Sequence, residues 1–152
     1  MSKKVKFVLP ITGEILPLSE VNDYLFNKKL LGEGAAIQPS ESYVVSPVDG
    51  KVEALYEAKH AIIIKSTDGL EILIHVGLDT VKLEGRGFGT YVKVGDEVKA
   101  GDKILFFDKD YIEKRASLVT PIVITNSDKI ESFEVNYHAK NAGDEFAYIA
   151  LK

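Results

Sequence analysis

The 152-residue chain contains no cysteine and only three histidines. The missing cysteine excludes a disulfide framework, a thiolate zinc site and a cysteine nucleophile, and it fits a reducing compartment. There is no excess of positive charge: 19 basic residues face 23 acidic ones, for a net charge of −4. No basic stripe is visible, so a nucleic-acid partner is not expected. No apolar run approaches the ~18 to 20 residues of a membrane span. The opening "MSKKVKFVLPITGE" has a short apolar run broken by Pro10 and Gly13, unlike a secretory signal. A cytoplasmic protein without direct membrane insertion is expected. "GRGFG" (Gly85 to Gly89) lacks the spacing of a dinucleotide site, and no Walker lysine is present, so turns with positive φ are expected there instead.

What the chain does have is ordinary globular composition, 45% hydrophobic and 28% charged, at a length that suits one domain over residues 1–152. Its apolar residues fall in short runs broken by Gly, Pro, Asp and Asn. That pattern predicts an all-β fold, an antiparallel sandwich or barrel with short helical turns. Expected turns are Thr12-Gly13, Asp49-Gly50, Thr67-Asp68-Gly69, Gly95-Asp96 and Gly101-Asp102. "PITGEI" (Pro10 to Ile15) and "PVDGKV" (Pro47 to Val52) are alike, which suggests a duplicated hairpin. One short helix is expected within "LSEVNDYLFNKKLLG", capped by Ser19 and stopped by Gly32, and a second at Lys109 to Ala116.

The segment "HAIIIKSTDGLEILIH" begins at His60 and ends at His75. A two-residue loop at Thr67-Asp68 sets the two histidines directly opposite; a loop at Asp68-Gly69 sets them diagonal. Either register puts both rings on one face, roughly 5 Å apart at Cβ when opposite, together with Ile62, Ile64 and Leu73. Only an odd loop or a bulge separates them. A single buried histidine is usually hydrogen-bonded core; two on one face, out of three in the chain, point to chemistry. His138 stands in a polar segment and reads as solvated. A histidine pair can ligate metal, though two ligands fall short of a usual zinc set. It can run acid–base chemistry, or one ring can be the nucleophile while the other holds the transferred group.

"GLEILIHVGLDTV" resembles the signature of the glucose-family enzyme IIA proteins of the bacterial sugar phosphotransferase system. Further similar blocks are Asp23 to Pro39, "SPVDGKV", "KHAI", "LEGRGF" and "TPIVITN", in order along nearly the whole chain. The resemblance implies a cytoplasmic β-sandwich. Its activity is that of a phosphotransferase component, which takes a phosphoryl group from the histidine phosphocarrier protein and passes it to the IIB domain of a sugar transporter. It assigns the phosphoryl acceptor to His75 and its neighbour to His60, with Asp23 and Asp79 flanking the site and Phe26 and Ile37 on an apolar docking rim. The face reading above adds Ile62 and Leu73 to that rim, and backbone N–H groups from Val76 to Thr80 are expected to help hold the phosphoryl group. No cofactor is required; zinc is expected at His60 and His75 only weakly, or with a partner carboxylate. Where the family usually has threonine, this chain has Ala58, so a hydroxyl that would bond the supporting ring is missing. The first strand starts almost at once, so no tail-mediated membrane contact is expected.

Two other readings compete. "HVGLD" (His75 to Asp79) fits the H-x-x-x-D element of lysostaphin-type metallopeptidases, but the H-x-H partner is missing. In a non-catalytic binding module the histidines are structural. "VKVGDEVKAGDKI" (Val92 to Ile104) also occurs in biotinyl and lipoyl carrier domains, but the hairpin-tip lysine motif those domains modify is absent.

Overall fold

The protein is described by a computed structural model covering residues 3–152. Its strands are β1 (Lys4–Val8), β2 (Gly13–Pro17), β3 (Glu33–Pro39), β4 (Tyr43–Val45), β5 (Gly50–Leu55), β6 (Ala61–Ser66), β7 (Glu71–His75), β8 (Phe88–Thr90), β9 (Glu97–Val98), β10 (Lys103–Phe107), β11 (Thr120–Ile124), β12 (Ile130–Val135) and β13 (Glu145–Leu151). A seven-stranded sheet runs β2-β3-β11-β7-β6-β5-β9, and two three-stranded sheets run β1-β13-β12 and β4-β10-β8. Every pairing is antiparallel. The architecture is the expected all-β sandwich. One main core collects residues from Val5 to Ile149, including the fully buried Phe7, Leu9, Ile11 and Phe146.

The two similar segments occupy similar places. Gly13 opens β2 and Gly50 opens β5, and a Cβ on either would lie 2.2 Å from a partner-strand carbonyl oxygen, that of Gln38 or Lys65. The hairpins they start, β2-β3 and β5-β6, flank the central pair β11-β7 on opposite sides. Close backbone approach is why glycine recurs there.

The helices are shorter than expected. The stretch predicted as one helix from Ser19 to Gly32 is a 3-10 turn at Leu18–Glu20 followed by α1 (Tyr24–Asn27). Its N-cap is Asp23, whose carboxylate accepts from the Leu25 amide at 3.0 Å, and not Ser19. Val21 and Leu18 are drawn into a second, smaller core, so the chain kinks between the two turns instead of continuing as a helix. The second predicted helix is α2 (Lys109–Glu113), capped by Asp108.

The site is set by the two faces of the β6-β7 hairpin. Ile62, Ile64, Ile72 and Ile74 point into the main core and are fully buried. Ala61, Leu73 and partly Ile63 point the other way, into the second core with Leu18, Val21, Phe26, Ala36, Leu78 and Val123. Apolar residues on both faces follow from cover on both sides.

Candidate active site

His75 is the last residue of β7 and is half-buried. Its Nδ1 lies 2.7 Å from the carbonyl oxygen of Gly77. A carbonyl only accepts, so Nδ1 carries the hydrogen and Nε2 presents its lone pair outward. The turn that brings the carbonyl back is tightly specified. Gly77 has φ 79°, and a Cβ there would stand 2.4 Å from Thr80 Cγ2 and 2.6 Å from the Ser117 oxygen. The buried Thr80 hydroxyl donates to the Val76 carbonyl at 2.6 Å, and the Thr120 hydroxyl accepts from the Gly77 amide at 3.3 Å.

His60 reaches the same place by an unexpected route. The β6-β7 loop has three residues, Thr67 to Gly69, so Ala61 and not His60 pairs with His75. The Gly69 amide donates to the Ser66 carbonyl at 2.9 Å, and Gly69 has φ 90°, as a turn followed by a left-handed glycine requires. Strict alternation then puts His60, opposite Val76, on the core face and His75 on the other. Both expected registers are thus corrected, and Ile62 and Ile64 do not share the face of His75. The rings still meet, because β6 begins only at Ala61. His60 lies in the bend before it, after Lys59 in left-handed conformation at φ 62°. The ring centroids are 4.9 Å apart with the planes at 79°. Phe26 packs edge-to-face with His75, ring centroids 5.7 Å apart, and Tyr56 does so with His60 at 5.6 Å.

Both rings are held neutral. Burial pushes His60 down from 6.5 to about 4, and the neighbouring His75 adds to this. Burial also lowers His75 below the ordinary histidine range. The Gly77 carbonyl and the carboxylates of Asp23 and Asp79 oppose that shift, so both aspartates act electrostatically on His75. Two neutral imidazoles in edge-to-face contact, one with a free Nε2, are groups that can serve as a nucleophile and a hydrogen-bond donor side by side.

Residues 5–130 match the family described as phosphoenolpyruvate-dependent sugar phosphotransferase system, EIIA 1. The chain belongs to this family. It is 53% identical over 129 residues to the PTS system glucose-specific EIIA component of Oceanobacillus iheyensis, covering 84% of this chain and 78% of that one. To the component of the same name from Bacillus cereus it is 49% identical over 148 residues, covering 95% and 90%. The solved structure of glucose permease IIA from Mycoplasma capricolum superposes with a TM-score of 0.90 at 38% identity, over 96% of each chain. As an EIIA-family member the chain is a transferase component of the phosphoryl relay that accompanies sugar uptake.

The rim of this EIIA site differs from expectation. Ile37 and Ile62 are fully buried in the main core, because β3 and β6 turn those side chains inward; neither can touch a partner. Leu73 and Phe26, 6% and 4% exposed, lie on the right face but in the second core beneath the surface. The exposed apolar groups at the site are Tyr24 and Leu25, beside Phe26 in α1, and Tyr56 and Val81, beside His60. No periodicity marks them, since single exposed apolar residues in turns carry no pattern; only nearness to Asp23, His60 and Asp79 in sequence points to them. The Val76, Gly77 and Leu78 amides already donate to the His60 carbonyl, the Thr120 hydroxyl and the Ser117 carbonyl, so these three do not turn to a phosphoryl group as expected. His138 is exposed, as its polar surroundings suggested. Among the described residues no three His, Asp or Glu side chains are placed to hold a metal ion, and no helix is long and apolar enough to cross a membrane.

Proposed function

We propose that His75 accepts a phosphoryl group on Nε2 from the histidine phosphocarrier protein and passes it to the IIB domain of a sugar transporter, in the cytoplasm. The observation that carries this is the 2.7 Å hydrogen bond from His75 Nδ1 to Gly77, which leaves Nε2 as the free lone pair. In the accepting step the Nε2 lone pair attacks the donor's phosphorus. A new N–P bond forms, the donor's N–P bond breaks, and the donor imidazole leaves with that electron pair. The His75 ring then bears phosphorus on Nε2 and hydrogen on Nδ1, and so carries positive charge. The Gly77 carbonyl, Asp23 and Asp79 stabilise that charge and keep the ring a good leaving group. In the donating step a nucleophile of the IIB acceptor attacks phosphorus; its bond to phosphorus forms as the N–P bond breaks, and the N–P electron pair returns to Nε2 of the neutral ring.

His60, neutral at physiological pH, donates its Nε2–H to a phosphoryl oxygen and stabilises the transferring charge. Tyr24, Leu25, Tyr56 and Val81 offer an apolar docking face, with Asp23 and Asp79 meeting basic residues of the phosphocarrier at its rim. The relay needs no resident cofactor. Zinc would be held at His60 and His75 only with a ligand from a partner. The test is incubation with phosphoenolpyruvate and the purified donor proteins. Acid-labile phosphate is expected on the wild type and not on His75→Ala; label on a folded His75→Ala protein contradicts the assignment.

A further inference from the structure

Two threonines meet at the turn behind His75. Thr80 opens the 3-10 turn Thr80–Leu83, Thr120 opens β11, and both are fully buried. The Thr80 hydroxyl donates to the Val76 carbonyl at 2.6 Å. The Thr120 hydroxyl accepts from the Gly77 amide at 3.3 Å and donates to the Leu118 carbonyl at 2.8 Å. The Val76 carbonyl and the Gly77 amide are the two ends of one peptide unit. That single peptide is therefore held at both ends by side-chain hydroxyls from two different elements. Valine has nearly the same shape as threonine and buries no hydroxyl, so packing alone does not call for threonine at either position.

The next peptide, Gly77–Leu78, carries the carbonyl that lies 2.7 Å from His75 Nδ1, and its amide donates to the Ser117 carbonyl at 3.0 Å. The two peptides share Gly77, whose φ is 79°. Glycine turns more freely than any other residue, so Gly77 does not hold that angle by itself. Rotation of the Val76–Gly77 peptide changes φ and swings the Gly77 carbonyl away from His75. The hydroxyls oppose that rotation, because it would leave a buried carbonyl and a buried amide without partners. Once the carbonyl has moved off, a neutral imidazole can carry its hydrogen on either nitrogen.

We propose that Thr80 and Thr120 are positioning residues that clamp the Val76–Gly77 peptide and so keep the hydrogen of His75 on Nδ1 and the accepting lone pair on Nε2. The consequence for phosphoryl transfer rests on the relay proposed above; the tautomer does not. The test compares wild type with Thr80→Val and Thr120→Val, which remove a hydroxyl at nearly constant shape, and with Thr80→Ser and Thr120→Ser, which keep it. Nitrogen-15 spectra of the unphosphorylated proteins at neutral pH read the His75 tautomer, and thermal unfolding checks that each variant is folded. Wild type and the serine variants should hold the hydrogen mainly on Nδ1. Each valine variant should shift the tautomer ratio toward Nε2–H by roughly five-fold, the net worth of one hydrogen bond, and should accept phosphate more slowly than its serine counterpart. A folded valine variant with the wild-type tautomer overturns the proposal, and so does a serine variant that shifts as far as its valine counterpart. Hydrogen exchange at the Gly77 amide of the wild type needs no variant: slow exchange is expected, and fast exchange overturns the clamp. A wild type that accepts no phosphate overturns the relay instead, and the spectra keep that failure separate.

Discussion

The Nδ1 atom of His75 lies 2.7 Å from the carbonyl oxygen of Gly77, two residues on. One turn thus fixes the tautomer, and in the proposed relay it also sets the aim of the nucleophile and the stabilisation of the ring's later charge. Gly77→Ala should break all three, because the added Cβ meets Thr80 and Ser117 and φ 79° disfavours alanine. A loss of about 2–4 kcal/mol is expected in denaturant unfolding, with slower phosphoryl acceptance in the fraction that folds.

Folding stability should fall in acid through His60. Above pH 6.5 the ring is neutral in the folded and unfolded chains alike. Between 6.5 and about 4 the unfolded chain takes up a proton that the folded chain refuses. At about 1.4 kcal/mol per pH unit that window is worth about 3 kcal/mol, lost as pH falls. His60→Gln should flatten the pH dependence of stability across that window. An unchanged slope would mean that His60 is not held neutral.

The aspartates should act on His75 with a definite sign. Both raise its basicity against burial, so Asp23→Asn and Asp79→Asn should each lower the His75 pKa further, as read by ring-proton titration. Asparagine is the suitable replacement at Asp79, where φ is 60°. Asp79→Asn should also slow association with the phosphocarrier and weaken its salt dependence in stopped-flow transfer.

Docking should depend on the exposed apolar groups. Leu25→Ser and Val81→Ser should raise dissociation of the donor complex with little change in stability, since both side chains are about half exposed, 49% and 57%. Phe26→Ala is a different experiment: the buried ring packs on His75 and its loss should cost about 3–5 kcal/mol of stability. Surface binding kinetics beside thermal unfolding separate the two.

Much of this was legible in the sequence, for identifiable reasons. Short apolar runs between turn residues gave the β-sandwich, and the histidine-bearing strands with their flanking blocks gave the family. The pairing register was not legible. Thr67-Asp68-Gly69 can close as a two- or three-residue loop, and one residue of difference reverses every side chain. That slip placed Ile62 on the wrong face. The meeting of His60 with His75 then depends on a bend at Lys59, and a lysine carries no signal for left-handed backbone. The helix start is not legible either, because Ser19 and Asp23 are both capable caps, and burial of Val21 decides between them.

The most direct test of the account is nitrogen–phosphorus coupling in the phosphorylated, nitrogen-15-labelled protein. The account predicts a single N–P bond, at Nε2 of His75, with the hydrogen retained on Nδ1 and His60 unmodified. A bond at His75 Nδ1, or phosphorus on His60, would contradict it.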